Sequence, residues 1–364
     1  MAFKVPTFRH IHNPNTRKLN TFIMTSSNPT HSVEAQEPAV QHVEVDSDDG
    51  LLNITEDGGY PTDVGSYASS LSSSVLDYKW VNGRRFHAYK EGSYKFPNDE
   101  REQNRLNMMH YVFKIAMDGQ LFLAPVDVEQ PLRVLDIGTG TGLWAIEVGD
   151  QYPKIKLIQG NDLSPIQPDL VPPNVVFEVD DVESEWPPRQ PFDLIHARYM
   201  CGSIQDWPKL FQQAYEQTRV GGWIEFQEFH LVTYSQDGSL DTDNKLYKWF
   251  EFLREACDIM GRPVDVGAKL PEYAAAAGFS NIHHRIYPLP MGPWPKDPQL
   301  KEAGTLNILQ VLEGLEACSV ATFTHVLGWT MDEVKQFLEE VRRDAMKKGV
   351  HLMHNFHVVY AQRL

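Results

Sequence analysis

From residue 133 onward, short apolar runs rich in Val, Ile and Leu alternate with stretches whose apolar residues recur every three or four positions. Residues 133–137, 157–160, 175–179, 192–196 and 223–226 read as strands, and residues 142–151 and 207–218 between them as helices. Apolar strands in regular alternation with amphipathic helices predict right-handed βαβ units and a parallel sheet covered on both faces, an α/β doubly wound fold. Upstream, Asn98-Asp99-Glu100 has the composition of a helix start, and Leu106, Met109, Phe113 and Ala116 then follow on one face as far as Gly119. Downstream, residues 246–260 and 270–277 are helical in pattern, the second stopping at Gly278. Val334, Phe337, Leu338 and Val341 form a further helical core stripe. Residues 354–362 alternate as a terminal strand added to the sheet.

These elements divide the chain into residues 1–75, a tail expected to be disordered, residues 76–130, an N-terminal helical lid, and residues 131–364, the catalytic domain with helical insertions. Between about residues 25 and 75 the chain is rich in Ser, Asp, Glu, Gly and Pro, with too few large apolar groups to offset its ordering entropy. Residues 1–33 carry Lys4, Arg9, Arg17 and Lys18 and no acid, weakly like a mitochondrial transit peptide and more simply a disordered tail.

The balance of 33 basic against 49 acidic residues, a net charge of -16, argues against a phosphate backbone as partner, so no nucleic acid is expected. Cys201, Cys257 and Cys318 are odd in number and far apart, which fits a reducing compartment better than a disulfide or zinc framework. Every apolar stretch is broken by charge or Pro short of the roughly 20 residues of a membrane span. No membrane association is expected, and the reading is cytoplasmic, with a nuclear location as the alternative.

The first strand opens into Gly138-Thr139-Gly140-Thr141-Gly142, whose glycines let a ligand touch the main chain. The segment from Gly140 to Ala145 also satisfies the dinucleotide pattern GxGxxA, so a nicotinamide or flavin enzyme stays in play. Asp136, two residues before the first glycine, tilts the balance. Its carboxylate would repel a pyrophosphate, whereas it suits the sulfonium and ammonium groups of S-adenosylmethionine. The helix N-terminus and loop amides suit that cofactor's carboxylate. Asp162, ending the second strand, is placed to accept from ribose hydroxyls, and Asp181, after the third, from the adenine amino group, with the Val182 amide reaching the ring. Any one of these acids is often merely a loop or cap residue, but the three together mark a site at the carboxyl edge of the sheet.

Methyl transfer from sulfur is an in-line displacement, so alignment in a dry pocket can supply most of the catalysis. Were a base needed, His196, Tyr199, Glu228 and His230 stand at or after strand ends, each more commonly structural than catalytic. Arg105 and Tyr89 of the lid are placed near the ligand, and Trp294 and Trp329 are available to line a pocket for a small-molecule acceptor. His351, His354 and His357 resemble a metal set, but a strand turns neighbours three apart to opposite faces, so no metal is expected.

Several motifs together resemble the LaeA-like group of fungal class I methyltransferases over residues 76–364. They include Arg85-Phe86-His87-Ala88-Tyr89, Pro97-Asn98-Asp99-Glu100, the run from Asp136 to Ala145, Asp162-Leu163-Ser164-Pro165-Ile166-Gln167-Pro168 and Gly202-Ser203-Ile204-Gln205-Asp206-Trp207. Gly221-Gly222-Trp223, the run from Gly292 to Asp297 and Gly328-Trp329 add to them. The resemblance implies a Rossmann-like, seven-stranded, mostly parallel sheet, S-adenosylmethionine as cofactor, and a role in fungal secondary metabolism. Members of the family either methylate a small metabolite or act as nuclear regulators with velvet-type protein partners. Asp162-Leu163-Ser164 and Asp180-Asp181-Val182-Glu183 follow the wider family more than its namesake regulator, which favours the small-molecule enzyme.

Overall fold

In the computed structural model, which describes residues 40–47, 78–81, 83–87 and 96–364, the alternation of strands and helices is present. A short antiparallel hairpin, β1 (Lys79–Val81) and β2 (Arg84–Phe86), precedes helix α1 (Glu100–Ala116). The central part runs β3 (Arg133–Ile137), α2 (Leu143–Gln151), β4 (Leu157–Asp162), β5 (Val175–Val179), β6 (Phe192–Arg198), α3 (Trp207–Gln217) and β7 (Thr218–Tyr234). The C-terminal part adds α4 (Lys245–Ile259), α5 (Leu270–Ala277), β8 (Ser280–Pro290), α6 (Pro298–His325), α7 (Met331–Ala345) and β9 (Met353–Gln362).

Seven strands form one sheet in the order β5-β4-β3-β6-β7-β9-β8. The pairs from β5 across to β7 are parallel, and β9 runs antiparallel to both β7 and β8. β3 has β4 on one side and β6 on the other, so the strand order reverses there and opens a crevice at the carboxyl ends, where doubly wound sheets bind ligands. On one face Leu135, Ile137, Ile195, Ala197, Ile224 and Phe226 pack against α3 and α5. The other face takes α1 and α2, and there the period of two places Val134 with Asp136, and Leu194 with His196 and Arg198. This face therefore turns from apolar to polar toward the crevice.

Local chemistry sets the helix ends that border the crevice. Asp99 caps α1 by accepting from the Glu102 amide at 3.1 Å, and Gly142 starts α2 in the left-handed region at φ 79°.

Three elements differ from the pattern-based reading. Residues 298–325, for which the pattern gave no element, form the longest helix among the described residues, α6; it packs against α1, α4, α7 and β8 and so shows no clean polar face to reveal its period. β8 is an edge strand whose exposed Asn281, His283 and Arg285 alternate with inward Ile282, His284 and Ile286. Pro288 and Pro290, tolerated at a sheet edge, disguise it. Residues 40–47, counted with the disordered tail, are packed: Val43 is buried against Trp294 and Met353, Val45 bridges to Pro295, and Lys296 and Lys301 pair with Glu44 and Asp46. The remainder of residues 1–75, including the transit-like segment, lies outside the described residues.

Gly304 of α6 gives a test of this packing. Alanine in a helix is ordinarily better than glycine by about 0.8–1 kcal/mol, but a Cβ at Gly304 would overlap the Gly292 carbonyl oxygen. Gly304→Ala is expected to destabilise by about 1–3 kcal/mol in urea unfolding; a gain in stability would show that α6 does not press on the Gly292 turn.

Candidate active site

The carboxyl ends of β3, β4, β5 and β6, with α1 over them, enclose a cleft holding about 1170 Å³ of space free of atoms, part of it open to solvent. Its walls include Asp136, Gly138, Gly140, Asp162, Asp181 and Val182, so six of the seven residues expected to hold the cofactor meet at one place. Gly142 is not among the lining residues. It is buried with its Cα turned to the ring of Phe177, where it permits close approach of α2 to the sheet.

The glycine loop is held from below. Gly138 N donates to Asn161 Oδ1 (3.3 Å), Thr139 N to the Asn161 carbonyl (2.9 Å) and Gly140 N to Asp162 Oδ2 (2.9 Å). Gly140 stays open to the cleft, since a Cβ there would meet nothing nearer than Leu106 at 3.8 Å. Asp162 Oδ1 accepts from the Ser164 amide at 2.9 Å. Burial pushes this carboxyl up to about 6, against the pull of those amides. Beyond β5, Asp181 accepts from the Glu183 amide (2.9 Å) and the Ser184 hydroxyl (3.1 Å), with Val182 buried beside it. Asp136 is buried and accepts from Thr139 Oγ1 at 2.6 Å, while its other oxygen lies 2.7 Å from His196 Nδ1. Each acid expected as a ligand group is thus also the organiser of the turn that follows its strand, with lone pairs left over.

Of the four base candidates, His196 and Tyr199 are among the residues lining the cleft, and Glu228 and His230 are not. His196 is sealed in, its ring parallel to that of Trp144 with centroids 3.7 Å apart and its accessible surface 0%. Its Nδ1 is occupied by Asp136, and burial lowers its pKa, so the imidazole is neutral and locked. Glu228 lies outside the cleft, accepting from the Met200 (2.7 Å) and Cys201 (3.0 Å) amides, and burial pushes it up to about 8. His230 faces the Asp265 carbonyl at 3.1 Å and is also absent from the lining. Tyr199 does line the cleft. It sits in the left-handed region at φ 60°, costly for a bulky residue, and its hydroxyl accepts from Arg105 Nη1 at 3.2 Å. Burial pushes the phenol up to about 12, so it is a hydrogen-bond donor rather than a base at neutral pH.

Arg105, expected near the ligand, is buried in an ion pair with Glu102 (2.6 Å) and bonds to Gln310 (2.9 Å), reaching the cleft only through Tyr199. Trp294 packs on Val43 and Met353, and Trp329 sits in a ring cluster with Phe252, Phe323 and Phe337, so neither walls the cleft. Tyr89 lies outside the described residues. His354 and His357 do turn to opposite faces, one to Thr233 and the other to His284.

Two basic lining residues, Arg198 and His110, were missed. Arg198 lines the cleft, with Nη2 2.7 Å from His110 Nδ1. His110, from α1, has its Nε2 3.3 Å from Glu147 Oε1, and Lys114 Nζ lies 2.7 Å from the other oxygen of Glu147. The signal was present: two residues beyond His196, an extended chain returns to the same face, but the strand had been ended at 196.

An anionic rim, an exposed glycine backbone and apolar flanks at Leu163, Ile166 and Val182 suit a nucleoside with a cationic tail. A methyltransferase-domain family model matches residues 108–284, a span that holds most of this cleft. Methyltransferase pytC of Aspergillus terreus is 48% identical over 301 residues, covering 83% of this chain and 93% of that one. The secondary metabolism regulator LAE1 of Cochliobolus heterostrophus is 38% identical over 288 residues, 78% of this chain and 94% of that one. The probable methyltransferase tdiE of Emericella nidulans is 36% identical over 299 residues, 81% and 92% respectively. Identity at this level over most of both chains removes the dinucleotide alternative, and the chain belongs to the LaeA-like family of fungal class I methyltransferases, enzymes whose cofactor is S-adenosylmethionine.

Proposed function

We propose that this protein methylates a small molecule held in the inner part of the cleft, as a step in fungal secondary-metabolite biosynthesis, in the cytoplasm. The observation that carries this reading is the apolar part of the cleft wall. Leu106, Met109 and Phe113 of α1, with Met200 and Ile204, line the same cleft as Tyr199. An apolar wall with a few hydroxyls, Tyr199 and Ser203 among them, suits a compact, partly apolar acceptor better than a side chain on a folded protein. The relationship to pytC, which is named as a methyltransferase and not as a regulator, supports an enzymatic role.

At the outer part of the cleft, Asp162 is suited to the ribose hydroxyls, Asp181 and the Val182 amide to the adenine edge, and Asp136 to the cationic tail. The bound cofactor supplies an electrophilic methyl group. What the chain itself supplies is exclusion of water by α1 and its apolar residues, and orientation of the acceptor by the Tyr199 hydroxyl, which Arg105 holds in place.

The second reading, a nuclear regulator acting with velvet-type partners, draws on the relationship to LAE1. Incubation of the purified protein with methyl-labelled cofactor and either a small-molecule extract or a protein extract of the source organism separates the two. Label is expected in the small-molecule fraction; label confined to protein would favour the regulator.

Two residue-level outcomes follow from the site. Tyr199→Phe is expected to slow labelling of the extract by about tenfold or more, while S-adenosylhomocysteine affinity stays within about twofold, because the lost hydrogen bond serves the acceptor. For Asp162, the ribose donors need the ionised carboxylate, and with its pKa raised to about 6 the ionised fraction rises through that value as pH increases. S-adenosylhomocysteine binding, followed by calorimetry, should therefore tighten by up to about tenfold between pH 5 and 7. Asp162→Asn should bind weakly and show a flat profile; a wild-type profile that is already flat would remove Asp162 from the ribose site.

A further inference from the structure

Arg198 is a guanidinium on the wall of the cleft that has no carboxylate within ion-pair distance among the described residues. Its one direct side-chain hydrogen-bond partner is neutral: Nη2 meets His110 Nδ1 at 2.7 Å. The guanidinium also lies over the ring of Phe113, 5.3 Å from its centroid. Asp136, Glu147 and Glu225 act on it at longer range, and burial holds its pKa down to about 10, still cationic at neutral pH. His110 itself is kept neutral, its pKa lowered to about 4 by burial against the opposing pull of Glu147. A histidine in that state accepts from Arg198 at Nδ1 and presents Nε2–H toward Glu147, so it fixes the fork without discharging it. Guanidinium has five N–H donors, and an unpaired one beside an open cleft is a site for an anion.

The position says which anion. In the register of β3 with β6, Asp136 stands opposite His196, and Arg198 follows two residues on, on the same face. An acid and a base are thus set side by side, about 6–7 Å apart along the strand direction, a spacing matched to an amino acid's ammonium and carboxylate. The glycine loop offers that carboxylate little. The amides of Gly138, Thr139, Gly140 and Gly142 already donate to Asn161 Oδ1, the Asn161 carbonyl, Asp162 Oδ2 and the Thr139 carbonyl. What remains is the Thr141 amide on the cleft wall and the first turn of α2, which lacks a side-chain cap; these offer partial charge where Arg198 offers a full one.

We propose that Arg198, held by His110, takes the carboxylate of the cofactor's amino-acid tail while Asp136 takes its ammonium group, the two forming a zwitterion clamp across β3 and β6. This rests on S-adenosylmethionine as the cofactor. His110 and Glu147 are then positioning residues, which explains a neutral imidazole inserted where a direct Arg–Glu pair would have neutralised the cation.

Calorimetry on the full chain tests it with three probes: S-adenosylhomocysteine, decarboxylated S-adenosylmethionine, which keeps the ammonium and lacks the carboxylate, and 5′-methylthioadenosine, which lacks both. Arg198→Gln is expected to weaken S-adenosylhomocysteine by at least about tenfold, the loss of one charge-assisted contact. Binding of the other two probes should stay within about twofold, and Arg198→Lys should recover part of the loss. Unchanged S-adenosylhomocysteine affinity would overturn the clamp in favour of the α2 N-terminus, and equal weakening of all three probes would reduce Arg198 to a structural role. Should Arg198→Gln fail to fold, Arg198→Lys takes its place: its preference for S-adenosylmethionine over the decarboxylated form should fall at least about threefold below that of the wild type, and a preference equal to the wild type's would overturn the proposal. A wild type that binds none of the probes would instead count against the cofactor site as a whole.

Discussion

Two backbone amides donating to one carboxylate hold the shape of the cleft. Asp162 accepts from the Gly140 amide with one oxygen and from the Ser164 amide with the other, so the loop after β3 and the loop after β4 are tied to a single side chain. Gln167 reinforces the tie by donating to the carbonyls of Gly140 and Ser164. Asn98, just before α1, reaches Ser164 Oγ at 3.2 Å and brings the lid segment into the same arrangement. The loop after β3, the loop after β4 and the start of α1 are thus linked through one group, whose pKa burial raises to about 6.

Beneath the cleft, the face of the sheet under α1 and α2 carries Asp136, His196, Arg198, Glu225 and Gln227. Polar groups at such a place are costly unless each finds partners, and several of these do so in short, directed pairs. Asp136 has His196 and Thr139, Glu225 accepts from the amides of Leu123 (2.7 Å) and Ala124 (2.6 Å), and Arg198 has His110. Trp144 covers the His196 ring and donates its indole N–H to the Leu121 carbonyl at 2.8 Å. Short, directed pairs of this kind restrict motion, which is what catalysis by alignment requires, although among the described residues His196 Nε2 and Gln227 Oε1 are buried without a hydrogen bond.

The additions outside the central sheet act on the site through α1. The buried Arg105–Glu102 pair, with Gln310 of α6, locks α1 to α6, and Gly314 leaves room for the Arg105 side chain. The same arginine holds the Tyr199 hydroxyl. The long C-terminal helix thereby supports the Tyr199 wall of the cleft without lining it.

Much was legible beforehand because it is written locally. The five central strands, the Asp99 cap of α1, the Gly278 stop and the glycine loop depend on periodicity and backbone preference within a few residues, and Asp136, Asp162 and Asp181 gather because parallel strands end on one edge. Other features depend on distant partners. α6 is hidden because four elements surround it, and Trp294, an attractive pocket residue by type, is claimed by Val43 some 250 positions away. His196 is withdrawn from catalysis by Trp144, and Glu228 by the amides of Met200 and Cys201. The sequence by itself determined the fold class, the cofactor edge and the chemistry available there. Only the tertiary structure decided which of those side chains face the cleft and which are consumed in holding it, because burial and hydrogen-bond partners are set by segments that meet in space and not along the chain.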